Sequence, residues 1–225
     1  MVSVIIPALN EQETIVEVVS SCIGHPDVSE VIVVDDGSQD ATVERATAAG
    51  ANVIKLPENG GKGAAMHAGV SAAKNDVILF LDADITGITY ENISQIIEPV
   101  INGQYSMFVG LRSREVVFLN HLLRIFPIIG GERAIVKSLW YAIPAKYRSD
   151  FKVEVALNYF SKQTPLGMHF TLIEGIAHVT KEKKYGIITG FTQRVFMVWD
   201  ILSISFTLYV LGFFKKIFLS HFPRV

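Results

Sequence analysis

The sequence predicts an α/β fold, a Rossmann-like, mostly parallel sheet flanked by helices. Short β-branched runs (VSVII, VIVVD, NVIKL, VILFL) alternate with amphipathic stretches over the first hundred residues. Strands and helices alternating at that spacing imply right-handed crossovers and a sheet covered on both faces. Three of the runs lead into PALNE, DDGS and DADIT, and in such sheets ligands sit beyond the carboxyl ends of the strands. Half of the 225 residues are hydrophobic, enough for one packed core with appendages.

The elements follow in order. Residues 2–6, VSVII, form a buried strand ended by Pro7. The chain enters it without a basic n-region or a small-residue cleavage site, so a secretory signal is not expected there. In NEQETIVEVVSSCIG, Asn10 reads as a cap with Glu13 three residues on, and Ile15, Val18, Val19, Cys22 and Ile23 share one helical face. EVIVVDDGS is a second strand, and DATVERATAAG a capped helix stopped by Gly50. NVIKLP, GKGAAMHAGVSAAK and DVILFLDAD read as strand, helix and strand; TYENISQIIEPVI and YSMFVG add a helix and a strand. Beyond about residue 111 the pattern changes. VVFLNHLLRIFPIIGGERAIVKSLW suits one or two helices broken near Pro127 and Gly130, and TLIEGIAHV a late strand. VFMVWDILSISFTLYVLGFFKKIFL is almost wholly apolar.

Charge excludes one class of partner. Lys and Arg number 20 against 22 Asp and Glu, a formal charge of -2, so the global basic field of a non-specific nucleic-acid binder is missing. The single Cys22 excludes an intrachain disulfide and a multi-thiolate metal site, and fits a reducing compartment.

The strand-end motifs carry the chemistry. Asp82 and Asp84 repel each other unless a divalent cation bridges them to something else, and a hard Mg²⁺ or Mn²⁺ that also takes phosphate oxygens does this. The alternative is that Asp84 caps a turn and Asp82 pairs with a basic residue. In DDGSQD, Asp35 or Asp36 can accept from a base or ribose while Gly37 and Ser38 allow a tight turn into a helix starting near Asp40; an acidic turn with a helix cap is the alternative. NGGKGAA is not a Walker A loop, because Leu56 stands at the first Gly position and Gly63 at the hydroxyl position. No G-x-G-x-x-G follows the first strand, which disfavours a dinucleotide dehydrogenase. Lys62, ahead of a helix N-terminus, can still meet a diphosphate.

In this order and spacing, VSVIIPALNEQETI, VIVVDDGSQDAT, NGGKGAAMHAG and ILFLDADIT resemble the family 2 glycosyltransferases of the glycosyltransferase A fold, in particular the dolichyl-phosphate mannose and glucose synthase-like branch. GLRSR and IIGGERAIVKSLW extend the likeness more weakly. The resemblance implies that Pro7, Ala8, Asn10 and Glu11 line a nucleoside pocket, that Asp36 contacts the base and ribose, and that Gly37, Lys62, Ala83 and Arg112 complete the nucleotide-sugar site. Asp82 and Asp84 would be the family's D-x-D, with Asp84 the direct ligand of Mg²⁺ or Mn²⁺ and Asp82 nearer the sugar or ribose. Thr86 stands where the mannose synthases usually carry Gln, so no third ligand carries over there. His178 is the candidate for it, since several enzymes of this fold use a late His. Arg114, Lys181, Lys183, Lys184 and Arg194 are further cations available for phosphates.

Family 2 enzymes usually invert the anomeric centre in one displacement. An alcohol acceptor would need a general base, for which Glu154 in DFKVEVAL is the candidate; a lipid phosphate would not, being largely a dianion at neutral pH. Between Asp200 and Lys215 lie fourteen uncharged residues, short of the roughly 20 of a spanning helix. The expectation is therefore a catalytic domain over residues 1–194, with a nucleotide-sugar half (1–110) and an acceptor half (111–194). Apolar membrane-associating helices over 195–225 would follow, lying in the interface and anchored by Trp199, Tyr209, Lys215 and Lys216. A buried helix or a homodimer contact is the alternative for that segment. The function expected is a metal-dependent inverting transfer of a hexose from a UDP- or GDP-sugar to a polyprenyl phosphate at the cytoplasmic face of a membrane. The alternatives are a soluble enzyme acting on a small acceptor such as phosphoglycerate, and an inactive nucleotide-sugar-binding or scaffold protein.

Overall fold

The computed structural model describes residues 1–112, 132–149, 152–178 and 203–211. Seven strands form one sheet in the order β3 (Asn52–Lys55), β2 (Val28–Asp35), β1 (Val2–Ala8), β4 (Val77–Phe80), β7 (Glu132–Val136), β6 (Met107–Arg112), β8 (Met168–Ile173). All adjacent pairs are parallel except the two made by β7, which runs against both β4 and β6. The mostly parallel sheet expected from the sequence is therefore present, with a single reversed strand inside it.

Successive residues of a strand face opposite sides, so a strand buried on both sides is apolar throughout. In β1, Val4 and Ile6 pack with α1 (Ile15–Cys22) and α4 (Tyr90–Ile101), while Ile5 packs on the other face with α3 (Gly61–Ala72). That second face also buries Trp140 of α5 (Lys137–Ala142) and Val153, Val155, Ala156 and Leu157 of α6 (Lys152–Ser161). Helix α2 (Thr42–Ala48) joins the first face through Ala46. Since β1, β2 and β4 are parallel, their carboxyl ends, and the loops PALNE, DDGS and DADIT, emerge along one edge. Reversed β7 presents its start there, with Arg133 paired to Phe80.

Three local expectations are corrected. The segment ERAIV was assigned to a helix and is strand β7; β4 and β6 leave a position between them, and this run fills it with Ala134 and Ile135 buried on opposite faces. The span 113–131 lies outside the described residues. TLIEGIAHV is two strands: β8 ends at Ile173, Gly175 turns at φ +83, and β9 (Ala177–His178) pairs instead with β5 (Ile85–Thr86). A left-handed φ favours glycine, so this Gly was the signal for the break. Finally, α1 starts at Ile15 behind Thr14 without a side-chain cap bond; Asn10 takes a left-handed φ of 55° and bonds elsewhere.

Of the apolar segment 195–225, residues 203–211 are described, including a short π-helical turn Phe206–Leu211. Ile204 and Leu208 are buried in the core with α6, although Phe206 is exposed. Among the described residues no helix is long and apolar enough to cross a membrane. Membrane association of 195–202 and 212–225 lies outside them, as do Arg114, Lys181, Lys183, Lys184, Arg194, Trp199, Lys215 and Lys216.

Candidate active site

At the carboxyl end of β1, the PALNE loop is clamped to the loop after β2. Asp36 N–H donates to Ala8 O at 2.9 Å, Asn10 N–H to Ser38 Oγ at 2.9 Å, Gln39 N–H to Asn10 Oδ1 at 2.8 Å, and Glu11 N–H to Thr42 Oγ1 at 2.8 Å. The left-handed Asn10 is held by two of these bonds, which offset a backbone conformation that a non-glycine residue enters at some cost. Pro7, Ala8, Asn10 and Glu11 thus lie together at the sheet edge. Gly37, at φ +94, makes the turn that lets Asp36 fold back.

Asp36 is buried and its carboxylate accepts from Gly60 N–H at 2.7 Å and Gly61 N–H at 2.9 Å. It therefore satisfies two of the donors at the start of α3, as a cap does. Asp35, also buried, accepts from Ser38 N–H at 3.2 Å. The pair of acids thus builds the turn and the helix start.

Past β4, the DADIT loop is tied to α1 by Thr14 Oγ1, which donates to Ala83 O at 2.6 Å. Asp82 and Asp84 are both partly exposed. Lys62, in the first turn of α3, places its Nζ 2.9 Å from Asp82 Oδ1 and 2.8 Å from Glu154 Oε1 of α6. Arg133 of β7 stands behind, Nη2 3.7 Å from Glu154 Oε2. The Asp82 side chain is 25% exposed and Lys62 31%, against 5% for Glu154 and 2% for Arg133. The constellation therefore has a solvent side and a buried side.

Electrostatics keep it charged. Burial disfavours the Lys62 ammonium, but Asp82 and Glu154 outweigh it and hold the amine above the usual lysine range. Burial likewise pushes Glu154 up, and Lys62, then Arg133, overcome this and hold its carboxyl below the usual range. A carboxylate so stabilised is a weak proton acceptor, so Glu154 fits the holding of Lys62 better than the general-base role expected of it. Burial pushes the Cys22 thiol up to about 12, which removes it from nucleophilic chemistry.

The cation question turns on the donor set. Among the described residues no three His, Cys, Asp or Glu side chains gather into a metal cluster. Mg²⁺ is commonly held by one or two carboxylates plus substrate phosphates, and Asp82 and Asp84 supply hard oxygens of that kind at the open edge. Backbone pairing sets His178 opposite Ile85, next to Asp84 in sequence; its side chain lies outside the description. Arg112 ends β6, and its backbone is paired with Ile173. Sequence reasoning missed Arg133, whose only signal was a charged pair before the apolar run AIV, and Thr14.

The family model for glycosyl transferase family 2 matches residues 3–146. The chain belongs to this family. It is 35% identical over 111 residues to the glucosyl-3-phosphoglycerate synthase of Mycolicibacterium paratuberculosis, covering 45% of this chain and 34% of that protein. It is 41% identical over 98 residues to the dolichyl-phosphate beta-glucosyltransferase of Drosophila melanogaster, covering 36% of this chain and 30% of that one. The matches thus span about a third of the length of these curated relatives. Among solved structures, the glucosyl-3-phosphoglycerate synthase of Mycobacterium tuberculosis, crystallised with Mn²⁺, UDP and glucosyl-3-phosphoglycerate, superposes with a TM-score of 0.76 at 24% identity, over 92% of this chain and 79% of that one. The fold is the glycosyltransferase A fold.

Proposed function

We propose that this chain transfers a hexosyl group from a UDP-sugar, with Mg²⁺ or Mn²⁺, to a small phosphorylated hydroxy acid of the phosphoglycerate type. The observation that carries the reading is the convergence of PALNE, DDGS, Lys62 and the Asp82/Asp84 pair on one sheet edge, in a chain similar to a glucosyl-3-phosphoglycerate synthase. Solved structures of the M. tuberculosis synthase hold Mn²⁺ or Mg²⁺ with UDP, which fits the hard oxygen donors of Asp82 and Asp84.

In this reading Pro7, Ala8, Asn10, Glu11 and Gly37 form the nucleoside wall, already rigid because its two loops are bonded to each other. Asp36 presents its remaining acceptor capacity to the base, while Ala83 and Arg112 flank the sugar diphosphate. Asp84, Asp82 and His178 hold the cation. When bound, it neutralises charge that develops on the departing diphosphate. Lys62 stands where its ammonium adds to that stabilisation, oriented by Glu154.

A second reading, transfer to a polyprenyl phosphate at the cytoplasmic membrane face, is favoured by the likeness to the dolichyl-phosphate glucosyltransferase and by the apolar stretch within 195–225. The two are separated by incubating the protein and Mn²⁺ with UDP-glucose or GDP-mannose, offering 3-phosphoglycerate or a polyprenyl phosphate in detergent, and identifying the product by mass spectrometry. Metal-dependent glucosylation of phosphoglycerate supports the main reading. Product with the lipid phosphate alone replaces it by the second.

A further inference from the structure

We propose that Lys62 is a resident cation that competes with the divalent metal for Asp82, and that Glu154 is the positioning residue onto which Lys62 withdraws when the metal binds. The proposal rests on the cation site assigned above to Asp82 and Asp84.

Two carboxylates one residue apart at a partly exposed edge repel each other when no cation is bound. In this chain an ammonium already offsets the charge of one of them, at 2.9 Å from Asp82 Oδ1. A divalent ion taking Asp82 and Asp84 would arrive within a few ångströms of that ammonium, so metal and Lys62 cannot share Asp82 without mutual repulsion. The bridge is lopsided in a way that decides which bond yields. Glu154 is nearly buried and faces the buried Arg133 with its second oxygen at 3.7 Å, whereas Asp82 is on the solvent side. The Lys62 bond to Glu154 is therefore the sheltered one and the bond to Asp82 the exposed one.

The backbone under Lys62 is pinned. Asp36 holds the N–H groups of Gly60 and Gly61, and Gly63 packs so tightly on the backbone of residues 148 and 149 that a Cβ there would overlap the Arg148 carbonyl. Exchange is thus confined to the Lys62 side chain, which pivots on Glu154. Held by Glu154 alone, the ammonium no longer neutralises Asp82 and stays on the first turn of α3, beside the edge where a diphosphate would arrive. Metal and nucleotide consequently bind with positive coupling: each favours the position of Lys62 that the other needs.

The test is Mn²⁺ titration read by electron paramagnetic resonance of the free ion, without nucleotide and with UDP, on protein verified as folded by circular dichroism. Lys62→Met is expected to bind Mn²⁺ about tenfold tighter than the parent without nucleotide, and to lose most of the further tightening that UDP gives the parent. Lys62→Arg, which keeps the charge, should stay near the parent. Glu154→Gln, which removes the withdrawal site, should bind Mn²⁺ several-fold more weakly without nucleotide. Lys62→Gln replaces Lys62→Met if the latter does not fold. Unchanged or weaker Mn²⁺ binding by the neutral Lys62 variant, with Asp84→Asn abolishing binding, overturns the competition and leaves the cation site standing. Parent-like Mn²⁺ binding by Asp84→Asn removes the cation site itself.

Discussion

Gly63→Ala is the substitution whose cost the structure specifies most closely. The residue lies in the first turn of α3, where alanine ordinarily stabilises a helix by up to about 1 kcal/mol relative to glycine. Here a Cβ would overlap the Arg148 carbonyl oxygen and stand 2.8 Å from both Arg148 C and Ser149 Cα, against the roughly 3.5–4.0 Å of ordinary carbon contacts. All three atoms are backbone, and the loop carrying them is fixed by the Arg148 guanidinium, which donates to Ile143 O at 2.8 Å and Tyr141 O at 3.2 Å. Overpacking of this kind costs about 1–3 kcal/mol or more, so after the helix gain the expected loss is about 2 kcal/mol. For a domain of this size that lowers Tm by roughly 4–8 °C. Urea unfolding and a thermal melt measure it, and Lys62 displacement should appear alongside as reduced turnover. A variant as stable as the parent, or more stable, would refute the packing argument.

Other consequences follow from the same network. Asp36→Ala leaves two N–H groups at the start of α3 without their acceptor and should cost about 2–3 kcal/mol, with faster amide exchange at Gly60 and Gly61; a change below about 0.5 kcal/mol would count against the cap. Glu154→Gln should destabilise by about 2–4 kcal/mol at neutral pH, since it discharges a buried partner of Lys62 and Arg133. Because the folded pKa of Glu154 is depressed, its contribution is present above the ordinary carboxylate range and is lost as pH falls through the folded value. Urea titrations from about pH 7 downward should show the gap between variant and parent narrowing once pH falls below the ordinary carboxylate range; a pH-independent gap contradicts the assignment. The raised Lys62 has the opposite sign: its contribution holds below the ordinary lysine range and fades only as pH rises through its elevated folded value.

What the sequence disclosed and what it hid have physical reasons. Strand ends were legible because β1, β2 and β4 are buried on both faces, and continuous apolar runs stop abruptly where the chain meets solvent. The motifs there needed no long-range information. Strand β7 was hidden because Glu132 and Arg133 interrupt the apolar pattern, and because its place depends on the gap between β4 and β6. Asn10 was expected at the head of α1 and serves the second loop instead, a tertiary bond outweighing a local capping pattern. Lys62, Asp82 and Glu154 were each singled out for substrate. Their mutual contact joins residues 20 and 92 positions apart, and nothing local announces it. The same contact bears out part of the alternative reading, in which Asp82 pairs with a basic residue, here Lys62.

The most direct measurement of the central claim is the thermal shift given by UDP with and without Mn²⁺, for the parent and for Asp84→Asn. Ligand at about 100 times its Kd adds about 2.7 kcal/mol to folded-state stability, which for this size corresponds to a Tm rise of roughly 5–10 °C. The account predicts that rise in the parent only when Mn²⁺ and UDP are both present, and its loss in Asp84→Asn. A shift by UDP that ignores Mn²⁺, or one that survives Asp84→Asn, would contradict the placement of a metal-held nucleotide diphosphate at this sheet edge.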